Sequence, residues 1–294
     1  MNKKLSVTMI RILGLFCVLM VVGMMTGCSV QNWTETSYQA PNWTPSGKIV
    51  ALKMERKYHE DPISFGDQKE VLDRGSAHIV EMNADGSNES ELFEPAENVS
   101  MIQVSTSENY IACADGGSGL HIYTRGGSKV SNIDVGDTIY AFDWSPDESK
   151  LVLQAGSQPI KVYFKEGNFY KVLSNGAYPS WKMNNKIIFK SEQYSPNRLA
   201  FRDIELLSDG VVNITGFSYP QYILSGTKAY LFRSQEIVLF DINSEKTSNI
   251  NVGIQGYSSP FVSPDGSKIV VTDINDSSAI WLIDVSSNVR TRLR

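Results

Sequence analysis

Apolar and polar positions alternate along most of this chain in runs of four to six, and turn residues break the runs every few positions. That period of two predicts short β-strands, and no stretch keeps a helical period beyond a turn or two. The clearest unit runs from Tyr257 to Thr272. A short segment (Ser259-Pro260-Phe261-Val262) meets the turn Ser263-Pro264-Asp265-Gly266, and the β-branched run Ile269-Val270-Val271-Thr272 follows. Proline presets the φ of a tight turn, aspartate caps it through its own side chain, and glycine tolerates positive φ. The unit therefore reads as a β-hairpin.

Weaker copies recur upstream. Aligned on the bulky residue before the turn, they are marked by Trp43, Val104, Trp144, Trp181, Tyr222 and Val262, at separations of 61, 40, 37, 41 and 40. Each copy leads into a second alternating pair of segments, such as Ala77–Asn83 followed by the turn Ala84-Asp85-Gly86-Ser87. Four short strands in about 40 residues are the size of one propeller blade. The reading is an all-β, six-bladed β-propeller of four-stranded antiparallel blades, at about 41–97, 98–137, 138–176, 177–216, 217–254 and 255–294. The bulky markers are expected to pack blade against blade.

Trp144-Ser145-Pro146-Asp147 and Met82-Asn83-Ala84-Asp85-Gly86-Ser87-Asn88 carry a resemblance to the TolB-type, WD40-like propeller repeat. It covers nearly all of 41–294, with blades two, four and five degenerate at the turn. The resemblance implies architecture and leaves chemistry open, because propellers host many unrelated functions. TolB proteins also carry an α/β domain before the propeller, for which this chain has no room, so their role is not carried over.

Residues 1–27 read as a lipoprotein signal peptide. Lys3, Lys4 and Arg11 form a basic n-region, and Ile12–Met25 is an apolar run of 14, short for a spanning helix. Met25-Thr26-Gly27-Cys28 resembles a bacterial lipobox, which implies cleavage before Cys28 and a diacylglycerol on its thiol. An uncleaved anchor and an ordinary secretory peptide are the alternatives. Ser29 in place of a retention Asp implies the outer membrane in a Gram-negative cell; a Gram-positive cell would hold the lipid in the outer leaflet of its plasma membrane. Residues 28–40 read as the lipidated Cys and a polar tether, although Thr34–Gln39 could instead add an edge strand to the last blade.

Loss of the leader's three basic residues takes the net charge from −5 to −8. That balance argues against nucleic acid as a partner. Of three cysteines, Cys17 lies in the leader and Cys28 takes the lipid, so Cys113 is left in an apolar strand, where a buried inert thiol is the expectation. No H-x-x-x-H, C-x-x-C, EF-hand or G-x-S-x-G spacing occurs, and Gly116-Gly117-Ser118-Gly119 reads as a flexible loop. His78 and His121 fall on equivalent strands of neighbouring blades, which strand alternation explains without a metal. No catalytic set, metal site or cofactor is expected.

Two features remain as candidate sites. The first interval is about 20 residues too long, with the excess between Lys53 and Ala77. Counting strands A to D outward from the axis, this insertion is a B–C loop on the face shared with the D–A connections. Tyr58, His59 and Phe65 on it, with Tyr194 on a milder elongation at 190–197, are candidate partner-binding residues. A solvated hairpin extension is the plainer reading. The second feature is a polar residue just before most markers: Asn42, Gln103, Asp143, Ser180 and Gln221, with Phe261 in the sixth copy. These five would line the channel and meet a small ligand or carbohydrate, or they would satisfy backbone at the edges of the inner strands. The functional expectation is a membrane-anchored platform that binds a protein or peptide. The alternative is a small-molecule or carbohydrate site at the channel mouth, binding or catalytic.

Overall fold

A computed structural model describes residues 31–60, 69–73, 76–183, 186–193, 196–205, 209–212, 214–215, 217–222, 228–232, 237–241, 244, 246–250, 257–273 and 279–293. Phe65, Tyr194 and the leader lie outside the described residues. Twenty-five strands form six antiparallel sheets, and no helix occurs among the described residues.

Blade one contains β1 (Gln31–Trp43), β2 (Ile49–Glu60), β3 (Lys69–Asp73), β4 (Ala77–Met82) and β5 (Ser90–Phe93), in the order β1-β2-β4-β5, with β3 paired to β2 alone. Blade two contains β6 (Met101–Val104), β7 (Tyr110–Ala114), β8 (Gly119–Thr124) and β9 (Lys129–Asp134). Blade three contains β10 (Ile139–Trp144), β11 (Lys150–Ala155), β12 (Ile160–Phe164) and β13 (Phe169–Ser174). Blade four is β14 (Gly176–Met183), β15 (Lys186–Ser191), β16 (Arg198–Asp203) and β17 (Asp209–Val212). Blade five is β18 (Ser218–Tyr222), β19 (Lys228–Phe232), β20 (Ile237–Asp241) and β21 (Lys246–Ile250). Blade six is β22 (Tyr257–Val262), β23 (Lys268–Asp273), β24 (Ile280–Asp284) and β25 (Arg290–Arg292). Apart from β3, every blade is a meander paired in chain order.

The second strand of each blade explains the ring. Its side chains alternate between two neighbours, so both of its faces are buried and the sequence reads as a continuous apolar run. On β7, Ile111 and Cys113 pack toward blade one, while Ala112 and Ala114 pack toward blade three. On β15, Ile187 and Phe189 face blade three and Ile188 faces blade five. On β23, Ile269 and Val271 face blade five, and Val270 joins Ile49 and Ala51 of blade one. Six apolar clusters result, one per pair of adjacent blades, and the cluster between blades six and one closes the ring. Trp43, Val104, Trp144, Trp181 and Val262 each pack into the cluster shared with the preceding blade, as expected of the markers. Cys113 is free and fully buried, and burial pushes its thiol well above the ordinary range, which makes it a poor nucleophile.

The turns between first and second strands close as their sequence predicts. Ser263 Oγ donates to Asp265 Oδ1 at 2.6 Å, and the same oxygen accepts from Ser267 N at 3.0 Å. These bonds hold the Asp265 carboxyl down at about 2. The left-handed position of this turn is Gly266 at φ +73°, but in blades two and three it is Glu108 at +63° and Glu148 at +59°. Each glutamate reaches the turn of the preceding blade. Glu108 Oε1 accepts from Ser46 N at 2.6 Å; the Glu148 carboxylate accepts from Ser107 N and, at 2.7 Å, from Ser107 Oγ. Interblade bonding thus offsets a backbone cost of about 1–2 kcal/mol for a residue with a Cβ. Glu148→Gly is expected to unfold at a higher urea concentration than Glu148→Ala, by about 1 kcal/mol, since both lose the bonds and only glycine relieves the φ. The reverse order would refute this account of the turn.

One expectation is corrected. Residues 31–40, read as part of a tether, are strand: β1 starts at Gln31, so blade one begins ten residues earlier than position 41. It belongs to blade one, not to the last blade, because Tyr38 and Ala40 are buried among that blade's apolar residues. The insertion also has regular structure. β2 runs on to Glu60 and β3 pairs back along it, with Lys57 opposite Asp73, Tyr58 opposite Val71 and His59 opposite Glu70. This is the hairpin form of the insertion.

Candidate functional site

The inner strands carry the polar residues singled out in the sequence, and local backbone geometry aims them. Pairing with the second strand slips just before the marker in blades three to six, between Ile139 and Ala141, Ala177 and Ser180, Ser218 and Pro220, and Ser258 and Phe261. Tyr178 sits at φ +54° and, in blade one, Ala40 at +46°. Each of these two precedes a proline, which has no N–H to offer the ladder and is tolerated at a bulge. The bulge turns the next residues toward the neighbouring blade.

Asn42 Nδ2 donates to Ile102 O of blade two at 3.4 Å, and Gln103 Nε2 donates to Phe142 O of blade three. Asp143 Oδ2 accepts from Ser180 Oγ at 3.0 Å and from Trp181 N at 2.7 Å, both in blade four, and Asp143 Oδ1 accepts from Trp144 N at 2.9 Å. Two marker indoles point the other way around the ring. Trp144 Nε1 donates to Gln103 O at 3.2 Å, and Trp43 Nε1 donates to Phe261 O at 3.1 Å, across the closing junction. Four of the five ring residues therefore join adjacent inner strands, whose facing edges have no ladder partner of their own. Gln221 lies on β18 opposite Tyr230. Asp143 is flanked by neutral donors only, and enclosure pushes its carboxyl up to about 6 against their opposing pull.

Two ionic clusters, both unanticipated, tie blades one and two. Glu81, nearly buried on β4, accepts from Arg125 and, at 2.7 Å, from Lys48 Nζ; Arg125 Nη1 also reaches Glu108 Oε2 at 3.1 Å. A glutamate between Val80 and Met82, inside an apolar strand, was the sequence signal for this cluster. In the second cluster His121 lies between two carboxylates, with Nε2 at 3.3 Å from Asp115 Oδ2 and Nδ1 at 3.4 Å from Glu97 Oε1. Lys129 Nζ at 2.5 Å and the Tyr123 hydroxyl complete the contacts of Glu97, and its carboxyl lies below the ordinary range although burial opposes this. His78 pairs through Nε2 with Ser76 Oγ at 2.6 Å, and its Nδ1 lies 3.0 Å from Glu91 Oε1. Each of the matched histidines thus lies against carboxylates of its own surroundings. No group of three His, Cys, Asp or Glu among the described residues is arranged to hold a metal.

The described residues 31–35, 55–60 and 69–73 belong to a compact unit of their own. Within it the rings of Trp33 and Tyr58 stack with centroids 5.6 Å apart and planes 17° from parallel. Trp33 Nε1 donates to Glu35 Oε1 at 3.4 Å. Tyr58 was singled out from the sequence, and Trp33 was not, because its segment read as tether. His59 shares the strand with Tyr58.

No protein-family description matches the chain, and no curated protein matches it in sequence. Among solved structures, the chain is similar to one in the crystal structure of a nidogen/laminin complex, at 9% sequence identity and a TM-score of 0.59, over 88% of this chain and 92% of that one. At that identity the likeness shows the fold, and the fold is a six-bladed β-propeller.

Proposed function

We propose that this chain is an exported lipoprotein, related to the TolB-type repeat proteins, whose propeller is held at a membrane surface as a platform for a protein or peptide. The observation that carries the reading is the blade-one extension, the one departure among the described residues from six four-stranded sheets. A rigid scaffold bearing one added element is a common way to present a binding surface. The propeller in the nidogen/laminin crystal structure belongs to a protein complex, which agrees with such a role. Cleavage before Cys28 and lipid on its thiol would place the platform in the outer membrane of a Gram-negative cell or in the outer leaflet of a Gram-positive plasma membrane.

Four of the five ring residues direct their polar groups to neighbouring blades, which favours a platform over a ligand site built from that ring. The test is deletion of residues 57–74, joining Arg56 to Gly75. Lys57 and Asp73 are cross-strand partners, so the cut removes a hairpin at its base. The expected result is a melting temperature within a few degrees of the intact chain and loss of the protein partner cross-linked to it in membranes. Undiminished cross-linking would reject the extension as the contact surface.

A further inference from the structure

We propose that the paired aromatic rings at the start of the blade-one extension, Trp33 and Tyr58, seat in the headgroup layer of the membrane, so that these two rings rest on lipid without an intervening tether and the protein contact falls to the rest of the extension. The inference builds on the lipoprotein reading above. Its basis is the early start of β1: only Ser29 and Val30 separate Cys28 from the first strand residue. Five residue steps from Cys28 to Trp33 span at most roughly 17 Å of fully extended chain. A lipidated Cys28 lies at the membrane surface, so Trp33 stays within a short reach of it.

The side chain at that position suits the layer. Indole and phenol rings combine a broad apolar face with one polar atom, and both concentrate where acyl chains meet headgroups. Trp33 and Tyr58 present such rings stacked together, each half-buried. Electrostatics does not drive the contact. The strand segments 31–35, 55–60 and 69–73 hold five acids (Glu35, Glu55, Glu60, Glu70 and Asp73) against three bases (Arg56, Lys57 and Lys69), a net of −2. Attraction to anionic lipid would need the opposite sign. The occupant is therefore the polar–apolar boundary of the bilayer itself, whatever its headgroup charge.

The experiment uses the mature lipidated protein in phosphatidylcholine vesicles brominated near the carbonyl end of the acyl chains. Bromine quenches indoles that sit at that depth. Of five tryptophans, Trp43, Trp144 and Trp181 are buried between blades and Trp281 is on β24. The expected result is loss of up to roughly a fifth of the emission, abolished in Trp33→Phe. It is weaker with bromine near the methyl end, and unchanged by high salt or by added phosphatidylglycerol. Equal quenching in Trp33→Phe, or none in the lipidated wild type, overturns the inference. Intact mass after membrane extraction reads the anchoring separately. If Cys28 carries no lipid, the lipoprotein reading fails. A chain with a polyhistidine segment in place of residues 1–28, held on nickel-chelating lipid, then decides the seating of Trp33 by the same quenching.

Discussion

Trp43→Ala is expected to cost about 3–5 kcal/mol of unfolding free energy, the range for an aromatic side chain removed from a core. Position matters as much as size. The first blade takes its five strands and the last its four each from one continuous stretch of chain, so no strand is exchanged to lock the ring. Closure rests on side chains: Trp43, Tyr38, Ile49, Ala51, Val80 and Met82 from blade one against Val270, Ile280 and Leu293 from blade six. The Trp43 indole also donates to Phe261 O across the junction. Trp43→Phe keeps most of the apolar contact and leaves that carbonyl without its donor, so a smaller loss of about 1–3 kcal/mol is expected. Trp281, half-buried on β24, serves as the comparison, and Trp281→Ala is expected to cost less than either. Urea unfolding followed by circular dichroism gives all three midpoints. If Trp43→Ala costs no more than Trp281→Ala, side-chain closure between blades six and one is wrong.

The ring was legible because its physics repeats. Each second strand is buried on both faces, so Ile49-Val50-Ala51-Leu52 and Ile269-Val270-Val271-Thr272 stand out as apolar runs, and the turn before each carries its own capping residues. The start of β1 was hidden for the opposite reason. From Thr34 to Thr36 its side chains are exposed, and a strand with few buried positions leaves no alternation to read. The sequence does carry one signal of the inner strand's geometry. Pro41, Pro179, Pro220 and Pro260 all stand two residues before a marker, which is where the inner strand bulges in blades four to six. The polar residues were visible as a series, and the sequence left two purposes open for them, a channel lining or satisfaction of inner-strand backbone. Whether Asn42 faces a channel or a carbonyl 60 residues away depends on how adjacent blades meet. Arg125 and Glu81, 44 residues apart, are likewise neighbours only in the folded ring.

Asp143 gives the second large effect, one that appears as pH dependence. Its carboxyl titrates near 3.8 in the unfolded chain and is raised to about 6 in the folded one, because enclosure penalises the charge more than Trp181 N, Ser180 Oγ and Trp144 N relieve it. A raised acid contributes stability that is fully present below the unfolded value and is lost as pH climbs through the folded one. The window is therefore about pH 4 to 6. At about 1.4 kcal/mol for each pH unit between those two values, the loss is no more than about 3 kcal/mol. Asp265, held down near 2, acts in the opposite sense over a lower window, adding stability as pH rises from about 2 to 4. The difference between wild type and Asp143→Asn removes Asp265 and the histidines from the comparison. Asparagine retains an oxygen for Trp181 N and Ser180 Oγ, but its amide nitrogen would face the Trp144 N–H, so the variant carries a cost that does not vary with pH. Wild type should hold its greatest advantage at pH 4 and give up as much as about 3 kcal/mol of it by pH 7. Urea midpoints at half-unit intervals would show this. A flat difference across that range would mean that the Asp143 carboxylate is already charged at pH 4 in the folded ring, and that the three donors outweigh its enclosure.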